Sequence, residues 1–124
     1  DNIEIDPSTY TVKSIYFDYD DFEIKSESKE QLDLIVKKLI AEKELKIEIR
    51  SYADCRGSKS YNINLSSSRG LAIKKYLMKN GVSKNQIVSK SLGATNFVNN
   101  CYQADLCTEE EHGKNRRSEF EYIK

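Results

Sequence analysis

The chain has 124 residues, 38% of them hydrophobic, and its 20 basic and 20 acidic side chains cancel to a formal net charge of zero. This length suits a single domain with a core of its own. The charged residues do not form a block of one sign, which disfavours nucleic acid as a partner. No apolar run in the sequence approaches the roughly 20 residues that span a bilayer. We expect targeting and membrane-anchoring signals to lie outside this sequence, which starts DNIEIDP.

The first predicted elements are a strand and a helix. Residues 10–17, YTVKSIYF, are rich in β-branched and aromatic side chains and precede an acidic turn, which predicts a strand. We therefore place the domain at residues 10–124 and treat residues 1–9 as an N-terminal extension or linker. Ser28 and Gln31 have the spacing of a capping box, and apolar residues then recur at helical spacing to about Glu44.

The second strand and second helix flank the chemically most informative segment. Residues 45–50, LKIEIR, alternate strictly between apolar and charged, which is the period of a half-buried strand. The Asn and Ser residues between 58 and 68 disfavour a helix interior, so the long helix is predicted to start at Ser66 and to end at Asn80-Gly81. This start places Arg69 in the first helical turn, within reach of Asp54.

Two strands complete the predicted fold, at residues 86–92 and 117–123. The order is βαβαββ, which indicates an α/β domain (an α+β sandwich) with a mixed four-stranded sheet and two main helices. Residues 93–114 form a long loop, in which Glu109 to Glu111 are interpreted as a solvated face or the first turn of a short helix.

The three cysteines have different predicted roles. Cys101 and Cys107 bracket five residues without a metal-ligand pattern, so a disulfide and an oxidising compartment are predicted, and neither metal nor cofactor is expected. Cys55 is interpreted as a small packed residue. His112, the only histidine, is interpreted as a surface residue in a loop. A thiol hydrolase using Cys55 and His112 remains an alternative.

Asp54 and Arg69 form the main candidate site. One acid and one base, with no nucleophile between them, suit a ligand that carries both an ammonium and a carboxylate group. The sequence therefore predicts binding and not catalysis. Taken without their neighbours, these two residues are also compatible with a surface ion pair of little consequence.

The surrounding spacing resembles that of a known family. Tyr52-Ala53-Asp54 and Gly57 are followed by Tyr61-Asn62, Leu65-Ser66 and Arg69, and Asn115-Arg116-Arg117 with Glu119 stands at the start of the last predicted strand. This set resembles the OmpA-like, peptidoglycan-associated domain of diderm bacterial envelopes over roughly residues 12–123. The cysteine-bracketed loop resembles the Bacteroidetes-type variant. Ser51 and Gly70 depart from the family pattern, since many relatives have Gly and Ala there.

The resemblance implies non-covalent binding of the peptidoglycan stem peptide, chiefly at meso-diaminopimelate, by a non-enzymatic domain. Asp54 would hold the ammonium group and Arg69 the carboxylate. The domain would anchor an outer-membrane protein or lipoprotein to the cell wall on the periplasmic face. A protein–protein interaction module remains an alternative. The implied ligand-binding residues are Tyr19, Asp20, Asp54, Asn62, Arg69 and Arg117.

Overall fold

The computed structural model describes residues 11–123, and the predicted extension at residues 1–9 lies outside them. Four strands alternate with helices in the predicted order, and a third short helix precedes the last strand. The elements are β1 (Thr11–Tyr16), α1 (Ser26–Ala41), β2 (Lys46–Tyr52), α2 (Lys59–Lys79), β3 (Ile87–Gly93), α3 (Glu109–Gly113) and β4 (Arg117–Ile123). Within residues 11–123, no helix combines the length and hydropathy needed to cross a bilayer.

The sheet is mixed, with the strand order β1-β4-β2-β3. β4 runs antiparallel to both β1 and β2, whereas β2 and β3 are parallel. The carboxyl ends of β1, β2 and β3 therefore meet the start of β4 at one edge of the sheet. This arrangement confirms the predicted mixed four-stranded sheet and brings four separate loops together at that edge.

One face of the sheet is covered by α1 and α2, and the hydrophobic core lies between this face and the two helices. Ile47 and Ile49 on β2 are fully buried, as the alternation in LKIEIR predicts. On the opposite face Arg50 pairs with Glu48 at 2.8 Å and with Glu121 at 2.9 Å. The core consists of Ile15, Phe17, Leu32, Ile35, Leu39, Leu45, Ile47, Ile49, Ile73, Leu77, Val82, Ile87, Phe120 and Tyr122.

The predicted start of α2 at Ser66 is wrong. The helix begins at Lys59, where the Ser58 hydroxyl accepts a 3.1 Å hydrogen bond from the Tyr61 N–H. Ser66 is fully buried, and its hydroxyl donates to the Ile63 carbonyl and accepts from the Gly93 N–H at 3.1 Å. Serine has a low intrinsic helix propensity, but the hydrogen bond from Gly93 to Ser66 joins α2 to the end of β3 and favours Ser66 inside the helix.

The predicted capping box of α1 is also wrong. The helix begins at Ser26, so Ser28 lies inside its first turn, and Lys25 at the N-cap makes no side-chain cap. The helix ends at Ala41 instead of Glu44. The buried Gln86 amide donates at 2.9 Å to the Leu39 carbonyl in the last turn, a backbone group that the helix itself leaves unpaired, and also to the carbonyls of Glu42 and Leu45 beyond the helix.

Two departures from the family pattern, Ser51 and Gly70, lie near each other where α2 crosses the sheet. A Cβ atom added at Gly70 would lie 3.3 Å from Ser51 Oγ and 2.5 Å from Ser89 Oγ. The Ser51 hydroxyl is buried and hydrogen-bonds the Ser118 hydroxyl at 2.7 Å. The Ser89 hydroxyl therefore occupies the space that a methyl group at position 70 would need, the Ser51 hydroxyl narrows it further, and the helix packs against the sheet through Gly70.

The loop before α3 is closed by the predicted disulfide between Cys101 and Cys107. A short turn at Ala104–Leu106 lies inside the closed loop, and α3 follows it with Thr108 as a side-chain N-cap. Glu109 to Glu111 form the first turn of this helix, which matches one of the two interpretations given for them. The disulfide thus fixes the segment that delivers Glu109 to the edge of the sheet.

Replacing both Cys101 and Cys107 with serine should lower the free energy of unfolding by roughly 2 kcal/mol, because so short a closed loop removes little entropy from the unfolded chain. The fold should survive, and urea denaturation would measure the change. Cys55→Ser serves as the control, since Cys55 is a free thiol and its replacement should leave the disulfide contribution unchanged. Complete unfolding of the double variant would show that the loop is essential to the core.

Candidate functional site

A narrow cleft at the carboxyl edge of the sheet gathers most of the predicted ligand-binding residues. It contains Tyr19, Asp20, Asp54, Asn62 and Arg69, whereas Arg117 does not line it. The space in the cleft is small, about 10 Å³. Its full lining is Tyr19, Asp20, Ala53, Asp54, Arg56, Tyr61, Asn62, Leu65, Arg69 and Arg116.

The turn after β2 sets the position of Asp54. Gly57, two residues beyond Cys55, has φ +102°, and a Cβ there would lie 2.9 Å from the Tyr61 ring, so the turn requires glycine. The Asp54 carboxylate accepts a hydrogen bond from the Arg56 N–H at 3.0 Å. The motif spacing thus serves to fold the chain back from β2 into α2 with the carboxylate at the turn.

Two arginines neutralise the buried Asp54 carboxylate. Arg56 Nη2 lies 2.7 Å from Asp54 Oδ2, and Arg116 Nη1 lies 3.1 Å from the same oxygen. Glu109, from α3, pairs with both guanidinium groups, at 2.9 Å from Arg56 and 2.7 Å from Arg116. Two carboxylates and two guanidinium groups therefore form one network across the mouth of the cleft.

Arg56 also closes the cleft from the side of the first loop. Its guanidinium group lies over the Tyr19 ring, 4.2 Å from the ring centre, a distance suited to a cation–π contact. Tyr19 follows β1, and Asp20 beside it adopts a left-handed φ of 57°. Arg56 thus occupies, in this structure, the position beside Asp54 that an external cation would need.

Arg69 is fully buried and bonds three backbone carbonyls, two in the loop after β1 and one at the end of β2. Its guanidinium group donates to the carbonyls of Asp21 at 2.8 Å, Tyr52 at 3.2 Å and Asp18 at 3.1 Å. Burial and the neighbouring Arg116 charge lower the pKa of Arg69 to about 10, so the side chain remains charged at neutral pH. Arg69 therefore fixes the loop after β1 against the end of β2.

The predicted place of Arg69 in the first helical turn is wrong, since α2 begins at Lys59, about 15 Å of helix earlier. Arg69 still reaches the cleft, because side chains on a helix tilt toward its N-terminus and an arginine is long. The unpaired amides and the positive end of α2 therefore lie around Lys59 and not beside Arg69.

The neighbouring arginines at the start of β4 point in different directions. Arg116 donates to the Phe17 carbonyl at 2.8 Å and reaches Asp54. Arg117 pairs with Glu119 at 2.8 Å and stacks on the Tyr52 ring, 3.9 Å from its centre. Of the two, Arg116 is the one that lines the cleft. It lies in the turn between α3 and β4, where its N–H bonds the Gly113 carbonyl, whereas Arg117 is the first residue of β4.

The sequence motif also does not identify Arg56 as a cleft residue or Glu109 as the partner of the cleft arginines. Arg56 lies between Asp54 and Gly57, at a position where the family motif requires no particular residue. Its closeness to Asp54 in the sequence was the one feature that could have indicated an ion pair. Glu109 lies in a loop without periodicity, and only the fold brings it to Arg56 and Arg116.

Cys55 and His112 are in environments that do not favour a nucleophile and its base. Burial and the Asp54 charge raise the pKa of the Cys55 thiol, which reduces its thiolate fraction at neutral pH. His112 is buried in α3, with Nε2 2.9 Å from the Ala104 carbonyl, so its interpretation as a surface loop residue is wrong.

Acidification below about pH 4 should destabilise the fold through Asp54. Burial raises the pKa of Asp54, but hydrogen bonds from Arg56 and Arg116 outweigh this effect and bring it below its ordinary value. A carboxyl group of lowered pKa stabilises the fold fully above its unfolded pKa, near 4, and the stabilisation is lost as the pH falls through the folded pKa. Urea denaturation between pH 7 and pH 2.5 would show this decline, and Asp54→Asn should make it shallower. An equal slope in both proteins would contradict this assignment.

The chain is thus an α/β domain with a mixed four-stranded sheet, and the buried charged side chains of Asp54, Arg69 and Arg116 lie together at one edge of that sheet. Residues 16–108 match the OmpA family, and the chain belongs to that family. This result confirms the resemblance drawn from the spacing of residues 52 to 69.

Individual relatives agree with this assignment. The chain is 32% identical over 109 residues to a peptidoglycan-associated lipoprotein of Buchnera aphidicola subsp. Baizongia pistaciae, covering 88% of this chain and 60% of the relative. It is 30% identical to outer membrane protein A of Bordetella avium, covering 87% and 53%. The chain thus spans little more than half the length of these curated relatives.

Solved structures show the same fold. The peptidoglycan-associated lipoprotein of Burkholderia pseudomallei superposes with a TM-score of 0.80 at 28% identity, covering 89% of each chain. The C-terminal domain of Helicobacter pylori MotB superposes with a TM-score of 0.76 at 22% identity, covering 91% of this chain and 85% of that one. The second likeness concerns the fold alone.

Proposed function

We propose that this domain binds the stem peptide of peptidoglycan without forming a covalent bond, with meso-diaminopimelate as the residue recognised. The observation that carries the proposal is the buried Asp54 carboxylate, which lies in one cleft with Arg69. Family membership and relatives named for association with peptidoglycan support it.

Asp54 is proposed to bind the side-chain ammonium group of diaminopimelate. Two arginines now hold this carboxylate, and the lowered pKa of Asp54 keeps it ionised at neutral pH. The ligand ammonium must therefore replace the Arg56 guanidinium, the more exposed of the two partners. Glu109 remains available to Arg56 after this exchange, because the two side chains are already paired.

Arg69 is proposed to bind the side-chain carboxylate. A guanidinium group has five N–H donors, and the three carbonyl contacts described above leave donors for a ligand. Tyr19, Asp20 and Asn62 are proposed to complete the wall around the bound residue. Arg116 replaces Arg117 in this proposal, because Arg116 lines the cleft.

Replacing Arg56 with alanine should tighten binding of a diaminopimelate stem peptide by about five-fold, because the ligand ammonium then competes with one cation fewer. Calorimetric titration at fixed ionic strength would measure the change. Arg50→Ala is the matched control, since Arg50 lies on the opposite face of the sheet and should leave affinity unchanged. Weaker binding by Arg56→Ala would mean that Arg56 itself contacts the ligand.

The test of the proposed function is calorimetric titration of the domain with a stem peptide containing meso-diaminopimelate and with the same peptide containing lysine. Lysine keeps the ammonium group but lacks the side-chain carboxylate. Binding of the first peptide and much weaker binding of the second would support recognition of both charges. Silence with both peptides would overturn the proposal and favour a protein partner.

The wider role follows from this activity. We propose that the domain is a non-enzymatic anchor that holds an outer-membrane protein or lipoprotein to the cell wall from the periplasmic side. The relatives named peptidoglycan-associated lipoprotein and outer membrane protein A support this location. The raised thiol pKa of Cys55 and the engagement of His112 with a backbone carbonyl support a binding role over thiol hydrolysis.

A further inference from the structure

A second depression lies beside the charged cleft and is far larger. It is formed by the turn after β2, the first residues of α2 and the loop after β3, and its volume is about 340 Å³. Small-molecule sites typically occupy about 300–1,000 Å³. We call it the side groove. The residues that define it here are Lys59, Ile63, Leu92, Ala94, Phe97 and Tyr102.

The side groove adjoins the charged cleft. Asn62 lines both, and Cys55, which lines the groove, follows Asp54 directly in the chain. The free space in the charged cleft is about 10 Å³, which is too small for more than one charged group of a ligand. A peptide whose charged residue is held at Asp54 must therefore continue outside that cleft, and the side groove is the adjoining space.

The chemistry of the side groove favours small apolar groups next to an anion. Ile63, Leu92 and Phe97 provide apolar walls, and among residues 11–123 no acidic side chain lines the groove. Lys59 lies at its edge as the first residue of α2, whose first turn also lacks acids. The Lys59 ammonium and the positive end of the helix therefore act together on a carboxylate placed there.

We propose that the side groove binds the D-alanyl end of the stem peptide, with Lys59 opposite the terminal carboxylate. This inference rests on the proposed function, since it needs the preceding diaminopimelate at Asp54. The D-alanyl end combines small methyl groups with a carboxylate, and it follows diaminopimelate directly in the stem. The domain then distinguishes full-length stems from stems trimmed back to diaminopimelate.

Calorimetry with two peptides tests the proposal, one ending at diaminopimelate and one extended by two D-alanines. The extended peptide should bind about five-fold more tightly, the size of a favourable exposed ion pair. Lys59→Ala should remove this difference without weakening the shorter peptide. Lys84→Ala is the matched control, because Lys84 precedes β3 at the opposite end of that strand and should preserve the difference.

Alkylation of Cys55 by iodoacetamide at alkaline pH gives an independent measurement on the unaltered protein. The extended peptide should slow labelling several-fold more than the shorter one, because it covers the groove that Cys55 lines. Equal affinity of the two peptides, with no effect of Lys59→Ala, would overturn the inference and leave the proposed function standing. Equal slowing of Cys55 labelling by the two peptides would also overturn it. Failure of the shorter peptide to bind would overturn both.

Discussion

Replacing Arg69 with alanine should lower the free energy of unfolding by on the order of 3 to 5 kcal/mol and abolish binding of the stem peptide. The variant leaves the buried Tyr52 carbonyl without the Arg69 donor, and a buried unpaired group costs about 1–3 kcal/mol. It also removes the hydrogen bonds to the part-buried carbonyls of Asp18 and Asp21. It also leaves a cavity, because Arg69 is fully buried. Binding should be lost because the loop after β1, which carries Tyr19 and Asp20, is released from β2.

Urea denaturation followed by circular dichroism would measure the loss of stability, and Arg50→Ala provides the control. Arg50 makes its ion pairs on the exposed face of the sheet, so its removal should cost at most about 1 kcal/mol. Arg69→Lys keeps the positive charge but not the planar fork of donors, so it should recover little stability. Recovery of full stability by lysine would show that charge alone is required at this position.

The elements with one buried face were the ones that the sequence could predict closely. In β2, the alternation that ends at Arg50 put Ile47 and Ile49 into the core, and the predicted bounds of β4 match those observed. A strand with one buried face imposes a period of two on the sequence, which leaves little freedom in its register. The mixed sheet then followed from the order of strands and helices.

Helix starts were predicted less well, because several residues of the sequence were capable of capping. Ser58 and Ser66 are equivalent as local signals, and the difference between them is tertiary. Ser66 bonds the Gly93 N–H, a contact across 27 residues that no local rule describes. Similarly, Ser28 had the spacing of a cap but lies inside the first turn of α1.

The sequence predicted the two central residues of the site, Asp54 and Arg69, but not the network of ion pairs around them. The spacing from Asp54 to Arg69 placed both in one cleft even though the proposed helix start was wrong. Arg116 and Arg117 are adjacent, and sequence alone does not show that the turn before β4 ends between them and directs only Arg116 into the cleft. The pairing of Glu109 with Arg56 depends on how the disulfide-closed loop folds back over the sheet.

Replacing Asp54 with asparagine should weaken binding of the diaminopimelate peptide by about 30-fold to several thousand-fold, the equivalent of about 2–5 kcal/mol for a buried charge pair that loses one member. Asparagine has nearly the same shape, so the cleft should keep its walls. Arg116 retains Glu109 as a partner at 2.7 Å, which limits the structural cost of removing the Asp54 charge. Calorimetric titration would give the affinity, and thermal unfolding would show that the fold is intact.

Measuring both affinity and stability of Asp54→Asn distinguishes two possible roles of the Asp54 carboxylate. If the carboxylate only holds Arg56 and Arg116 in place, Asp54→Asn should alter stability and its pH dependence while affinity changes little. If the carboxylate receives the ligand ammonium, affinity should fall for both the diaminopimelate and the lysine peptides, because both carry that group. Glu44→Gln, which neutralises an exposed carboxylate beyond the end of α1, should leave both affinities unchanged. Parent-like binding by a folded Asp54→Asn protein would place the ammonium site elsewhere, and the anchoring role would then need a different pocket.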